Sequence, residues 1–250
     1  MENAKSVLSS LLDWIYPPSC LLCEELLPPG GREAVCPVCE ELLVPIRQAC
    51  AQCGLPSEMP LCLRCSQRAS LETYRQNFAL YTYESAVREM ILRFKYRGSA
   101  GYGAELGRRM ARGLNPRAFE GVDLLVPVPV HPRRERQRGY NQAALLARGM
   151  AEALRIPSAP RLLARTRYTA PLSGMGQEKR LESTKSVFAV RPAYRRTVAG
   201  KTVLLVDDIY TTGATLASCA SALLSAGARL VKSATLAVTP PHGEDGAPDF

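Results

Sequence analysis

The sequence predicts an α/β protein: a mostly parallel sheet flanked by helices, preceded by a small cysteine-rich module. Three observations carry this expectation. Eight of the nine cysteines form four Cys-x-x-Cys pairs within residues 20 to 65. From about residue 75, short apolar runs alternate with helix-like stretches. One of those runs, Val203 to Val206, is continuously apolar, as strands covered on both faces of a parallel sheet are.

The N-terminal module comes first. Val7, Leu8, Leu11, Leu12, Trp14 and Ile15 fit one short amphipathic helix. Ser9, Ser10 and Asp13 break that stretch, which is too short to span a membrane and has no small-residue cleavage site. The cysteine pairs follow: Cys20 and Cys23, Cys36 and Cys39, Cys50 and Cys53, Cys62 and Cys65. Each pair can supply two thiolates to a tetrahedral Zn²⁺, so two pairs close one shell and four pairs close two. Sequential pairing gives each half a short loop of its own, and we favour it, although an interleaved cross-brace has the same spacing. Disulfides are disfavoured, because Cys-x-x-Cys pairs bridge poorly as structural cystines and need an oxidising compartment. Cys219, far downstream, reads as a small core residue. The division expected is a helix and double zinc ribbon over 1–70, an α/β domain over 75–240 and a disordered tail over 241–250.

Charge separates the two parts. The formal net charge is +9, but residues 1–70 carry five Lys and Arg against eight Asp and Glu, whereas 71–250 carry 27 against 15. Eight thiolates on two Zn²⁺ ions lower the total to about +5. The basic surface therefore belongs to the larger domain, and the zinc module reads as a folding staple or a docking surface more than as an electrostatic grip on nucleic acid.

The larger domain reads as follows. Ala79 to Tyr83 is a short strand, and Ser85 to about Tyr96 a helix with Val87, Ile91, Leu92 and Lys95 near one face. Leu124 to Val130 is a second strand, whose Pro127 and Pro129 remove donors and force it into a loop. Gln142 to Leu154 is a helix, Arg161 to Ala164 and Val187 to Val190 are short strands, and Thr202 to Val206 is the buried one. The Ala214 to Ala226 helix and the Leu230 to Val238 strand complete the alternation.

Asp207 and Asp208 are expected to emerge at the end of the buried strand, where open α/β sheets bind ligands. Thr211-Thr212-Gly213-Ala214-Thr215 then turns into a helix, offering hydroxyls and backbone N–H groups at its positive end. Two carboxylates for ring hydroxyls and one phosphate cradle suit a ribose 5-phosphate. The segment resembles the 5-phosphoribosyl-1-pyrophosphate (PRPP) signature of type I phosphoribosyltransferases. That resemblance makes the expected fold a type I phosphoribosyltransferase-like sheet behind the double zinc ribbon.

Basic residues cluster at two further places. Arg133, Arg134, Arg136 and Arg138 crowd the segment between the second strand and its helix, and Lys95 and Arg97 sit at a helix end. Such groups suit a pyrophosphate or a nucleic-acid backbone. Together with the cysteine pairs and the acidic strand, the motifs Phe94-Lys95-Tyr96-Arg97-Gly98, Pro127-Val128-Pro129, Arg138-Gly139-Tyr140-Asn141-Gln142 and Arg165-Thr166-Arg167 make the chain similar to the ComF family from about Cys20 to Val238.

That resemblance implies a bacterial competence protein, cytoplasmic or peripheral at the inner membrane, working beside other DNA uptake proteins. It implies a PRPP-type ligand with Mg²⁺, a pyrophosphate loop running from Val128 through Val130 to Arg133, and a hood over Arg165 to Lys185. Leu172 after Pro171, and Ser183 after Arg180-Leu181-Glu182, depart from the Gln and Asn of many relatives and put ligand contacts from the hood in doubt. No residue stands out as a base for an acceptor. Besides phosphoribosyl transfer, in DNA uptake or in nucleotide metabolism, binding of a nucleotide or single-stranded DNA without transfer chemistry fits the same basic and tyrosine-bearing loops.

Overall fold

The computed structural model describes residues 17–29, 31, 33–67, 76–96, 100–165 and 187–240. The N-terminal helix expected before residue 17, the tail after 240 and the hood beyond Arg165 lie outside the described residues.

The two cysteine-rich halves repeat one another. In the first, Cys20 N–H donates to Glu25 O at 2.8 Å beside a bridge between Ser19 and Leu26, and helix α1 (Pro37–Glu40) starts directly after Cys36. In the second, Cys50 N–H donates to Leu55 O at 2.8 Å beside a bridge between Ala49 and Pro56, and helix α2 (Leu63–Ser66) starts directly after Cys62. Each knuckle turn thus presents two cysteines, and each short helix fixes two more.

Strand β1 (Asn77–Thr82) leads into α3 (Ser85–Tyr96) and α4 (Gly103–Gly113). β2 (Leu124–Pro127) is followed by α5 (Pro132–Arg138) and α6 (Gln142–Leu154). β3 (Leu163–Arg165), β4 (Phe188–Val190) and the short α7 (Arg195–Val198) precede β5 (Thr202–Tyr210), α8 (Ala214–Ser225) and β6 (Leu230–Val238). The main sheet is all parallel in the order β1-β6-β5-β2, and β3 and β4 form a separate antiparallel pair.

The period-two alternation of β5 divides the core. Val203 and Leu205 pack with α8 residues Leu216, Cys219, Ala220 and Leu223 and with Cys50, Cys53, Leu55 and Cys65 of the second ribbon. Leu204 and Val206 pack with α3, α4 and α6 and with Cys20, Leu21 and Cys39 of the first. Each ribbon is therefore built into one face of the sheet. The second ribbon also covers the outer edge of β1: Asn77 N–H donates to Gln52 O at 3.0 Å, Ile46 N–H to Leu80 O at 2.8 Å, and Asn77 Nδ2 to Cys53 O at 3.0 Å. Backbone groups that would template foreign strands are thereby used internally.

Four elements differ from the sequence reading. No helix is expected between Tyr96 and Leu124, yet α4 forms there. Its glycines weaken its intrinsic propensity, but at the crossing with α6 a Cβ on Gly107 would strike Leu146 O and one on Gly149 would strike Ala104 O, so tight packing requires them. The arginine segment, read as a loop, is helical: Pro132 occupies its first turn, His131 Nδ1 accepts from Arg133 N at 3.2 Å, and Gly139 ends it at φ 83°. β2 stops at Pro127, short of Val130, while β5 runs to Tyr210, so Asp207 and Asp208 lie inside the strand and not beyond it.

Candidate ligand site and zinc centres

Unequal strand lengths create the site. The last bond from the β2 side is Val128 N–H to Val206 O at 2.9 Å, with Pro127 opposite Val206. Beyond it β5 stays paired with β6 at Asp207 with Thr235, Ile209 with Ala237 and Tyr210 with Val238. Among the described residues no strand pairs with that edge of β5 from Asp207 onward, at the carboxyl end of the sheet where the β2 chain turns away.

Strand alternation places the two acids differently. Asp208 continues the series of Leu204 and Val206 toward α3, where its Oδ2 lies 3.0 Å from Lys95 Nζ, both side chains largely covered. Asp207 continues the series of Val203 and Leu205, and its Oδ1 accepts from Asp208 N at 2.9 Å. Burial, reinforced by the charge of Asp208, pushes the Asp207 carboxyl up to about 8 against the opposing Asp208 N–H and Lys95.

The turn follows at once. Gly213 sits at φ 81° as N-cap of α8, a left-handed position that suits glycine, and a Cβ there would collide with Tyr210. Thr211, Thr212, Ala214 and Thr215 are exposed. No side chain caps α8 at its N-cap residue, and Thr212 Oγ1 reaches Ala214 N–H only at 3.4 Å. The first N–H groups of the helix therefore face outward, an arrangement that suits an anion.

The rim comes from the motif at Arg138 to Gln142. Tyr140 OH donates to Phe94 O, the rings stack tilted at 6.1 Å, and Asn141 Nδ2 donates to Val128 O at 3.1 Å. These residues tie the end of α3, which carries Lys95, to the loop leaving β2 through the half-buried Val130. Sequence reading gave Tyr140 and Asn141 no such positioning role. Arg133, Arg134 and Arg136 are exposed on α5, whereas Arg138 is half-buried and its Nη1 donates to Gln142 Oε1 at 3.3 Å. Arg97 lies outside the described residues. Arg64 of the second ribbon was missed altogether, and its Nη2 donates to Thr211 O at 2.6 Å. A lone arginine inside a cysteine knuckle carries no local signal of that reach.

The cysteines gather sequentially, as favoured from their spacing: Cys20, Cys23, Cys36 and Cys39 in one group, Cys50, Cys53, Cys62 and Cys65 in the other, with the sulfurs of each group within 4.8 Å. Cys36 N–H donates to Cys20 Sγ at 3.3 Å and Cys62 N–H to Cys50 Sγ at 3.4 Å, the same contact in both repeats. Burial opposes ionisation of Cys20, yet N–H groups of Cys23, Cys36 and Leu22 outweigh it and bring the thiol down to about 6. Cys50 falls to about 7 in the same way, its burial outweighed by N–H groups of Cys62, Cys53 and Gln52. Four clustered sulfurs, with one thiolate already stabilised, fit structural Zn²⁺. Cys219 is fully buried against the sheet, the core position expected of it.

Fold and centres together define a double zinc ribbon joined to a phosphoribosyltransferase-type α/β domain. The double zinc ribbon domain matches residues 11–73 and the phosphoribosyl transferase domain residues 141–247. The chain belongs to the ComF family: it is 32% identical to competence protein ComFC of Bacillus subtilis (strain 168), covering 87% of this chain and 93% of that one. It is 30% identical to DNA utilization protein YhgH of Escherichia coli (strain K12), covering 86% and 95%, and 34% identical to competence protein F of Haemophilus influenzae over a shorter stretch, 38% and 41%. Among the described residues no helix is long and apolar enough to cross a membrane.

Proposed function

We propose that this chain binds PRPP or a related ribose 5-phosphate compound together with Mg²⁺, and that it serves DNA uptake or use in competence. The observation that carries the reading is the open edge of β5, where an acid pair is followed within a few residues by the Gly213 turn into α8. A ribose lying across that edge meets both carboxylates, and its 5′-phosphate meets the N–H groups of the turn.

Mg²⁺ bound together with the ligand would supply positive charge that screens its pyrophosphate. In phosphoribosyl transfer, the C1′–N bond forms as the C1′–O bond breaks, and Arg133 and Lys95 stabilise the departing pyrophosphate. Val38 and Leu42 on the first ribbon and Leu63 on the second are exposed apolar positions open to contact with other uptake proteins.

Calorimetry with PRPP, with and without Mg²⁺, tests the reading. Asp207→Asn with Asp208→Asn should lower affinity at least about tenfold, since one hydrogen bond to a charged carboxylate is alone worth about 1.5–3 kcal/mol. Unchanged affinity in the double variant removes the assignment. A second reading, single-stranded DNA binding, is favoured by the three exposed arginines of α5 and by the name of the Escherichia coli relative, DNA utilization protein YhgH.

A further inference from the structure

The Arg64 to Thr211 contact joins features 147 residues apart in sequence. Arg64 stands in α2 between Cys62 and Cys65, two members of the second tetrad, so its backbone is fixed from both sides. The same tetrad packs in one apolar cluster with Leu216, Cys219, Ala220 and Leu223 of α8. The base of the arginine arm and the helix carrying the turn thus share a core, which sets the distance the arm spans.

The turn needs such a brace. It is exposed at every residue but Gly213 and has no side-chain cap there; Thr212 Oγ1 reaches Ala214 N–H only at 3.4 Å, and the Gly213 carbonyl is held by Ala217 N–H at 2.8 Å where the helix begins. Ordering such a segment costs conformational entropy, and a guanidinium on the Thr211 carbonyl supplies that order in advance. The first ribbon is an internal control: its knuckle has Val38 where the second has Arg64, and Val38 is 76% exposed.

We propose that Arg64 is a positioning residue for the Thr211–Thr215 turn, which makes the second zinc ribbon a working part of the ligand site. The proposal rests on reading that turn as the phosphate cradle. Metal in the second tetrad and ligand at the turn then favour one another, each raising the affinity for the other by the same factor. Among the described residues the first tetrad has no such arm.

The test uses the full zinc-loaded chain with Arg64→Ala, Arg64→Gln and, as control, Val38→Ala, each checked for zinc content and melting temperature. Hydrogen exchange is followed in residues 211–216 without ligand, and PRPP affinity by calorimetry. Arg64→Ala should speed exchange in 211–216 while leaving 230–238 unchanged, and should weaken PRPP about tenfold, the worth of one charge-assisted hydrogen bond. Arg64→Gln, which keeps a donor, should recover part of both effects, and Val38→Ala should show neither. If the wild-type chain takes no PRPP, the ribose phosphate reading falls and the role of Arg64 falls with it. If the wild-type chain binds and Arg64→Ala matches it in exchange and affinity, the Arg64 inference alone is overturned.

Discussion

Lys95 Nζ lies 3.0 Å from Asp208 Oδ2, so the last turn of α3 supplies the counter-charge for an acid near the carboxyl end of β5. The pair joins two motifs more than a hundred residues apart, and the Tyr140 bond to Phe94 O holds the lysine's helix in place. With both side chains largely covered, removing one partner leaves the other poorly solvated. Lys95→Met should therefore lower unfolding free energy by about 1–3 kcal/mol. Adding Asp208→Asn should restore part of that loss. Urea denaturation of the two single variants and the double variant measures the coupling, and strictly additive losses would show that the pair contributes nothing to stability.

The Asp207 carboxyl gives stability a pH dependence. Burial and the Asp208 charge push it up to about 8, whereas an unfolded aspartate titrates near about 3.9. Between those values the folded chain holds a proton that the unfolded chain has released. Unfolding free energy should therefore fall as pH rises from about 4 to about 8 and level off above. Melts of the ligand-free, zinc-loaded chain from about pH 6.5 to 9 should show the decline, and Asp207→Asn should flatten it. A slope unchanged in that variant would assign it to another group.

Each chain should hold two Zn²⁺ ions, measurable as metal per chain in untagged protein, and less than about one would sink the two-site reading. Because Cys53 and Cys65 belong to the core that includes α8, and Asn77 bonds to Gln52 and Cys53, chelation should do more than unfold residues 20 to 65. It should also speed hydrogen exchange along β1. Loss confined to the ribbons would show that the sheet edge is stable without them.

Replacing Arg133, Arg134 and Arg136 by Gln separates the two ligand readings. If single-stranded DNA uses them, the log-log salt slope of oligonucleotide binding should flatten by about 0.7 per lost contact, or about 2 in all. If they serve pyrophosphate alone, PRPP affinity falls and the oligonucleotide slope stays. Arg138 is better left intact, because its bond to Gln142 supports the junction of α5 and α6. No change with either ligand would make α5 a solvated surface.

Much of the chain was legible locally. The α3 and α6 helices and β6 follow their sequence periodicity to the residue, because each buries one regular face or a continuous run. The helical arginine segment carried a readable start in Pro132 and stop in Gly139, outweighed in reading by its charge density. α4 was not legible, since its glycines oppose a helix until α6 lies against them.

By itself the sequence determined the two thiolate tetrads, the buried parallel strand with its acid pair, and the glycine turn into α8, because metal spacing, hydrophobic runs and turn chemistry act over a few residues. Only tertiary structure decided that β5 outruns β2 and opens an edge at Asp207, that Lys95 faces Asp208, and that Arg64 reaches Thr211. These depend on strand register and on which surfaces pack together, and both are set by burial of apolar area contributed from distant parts of the chain.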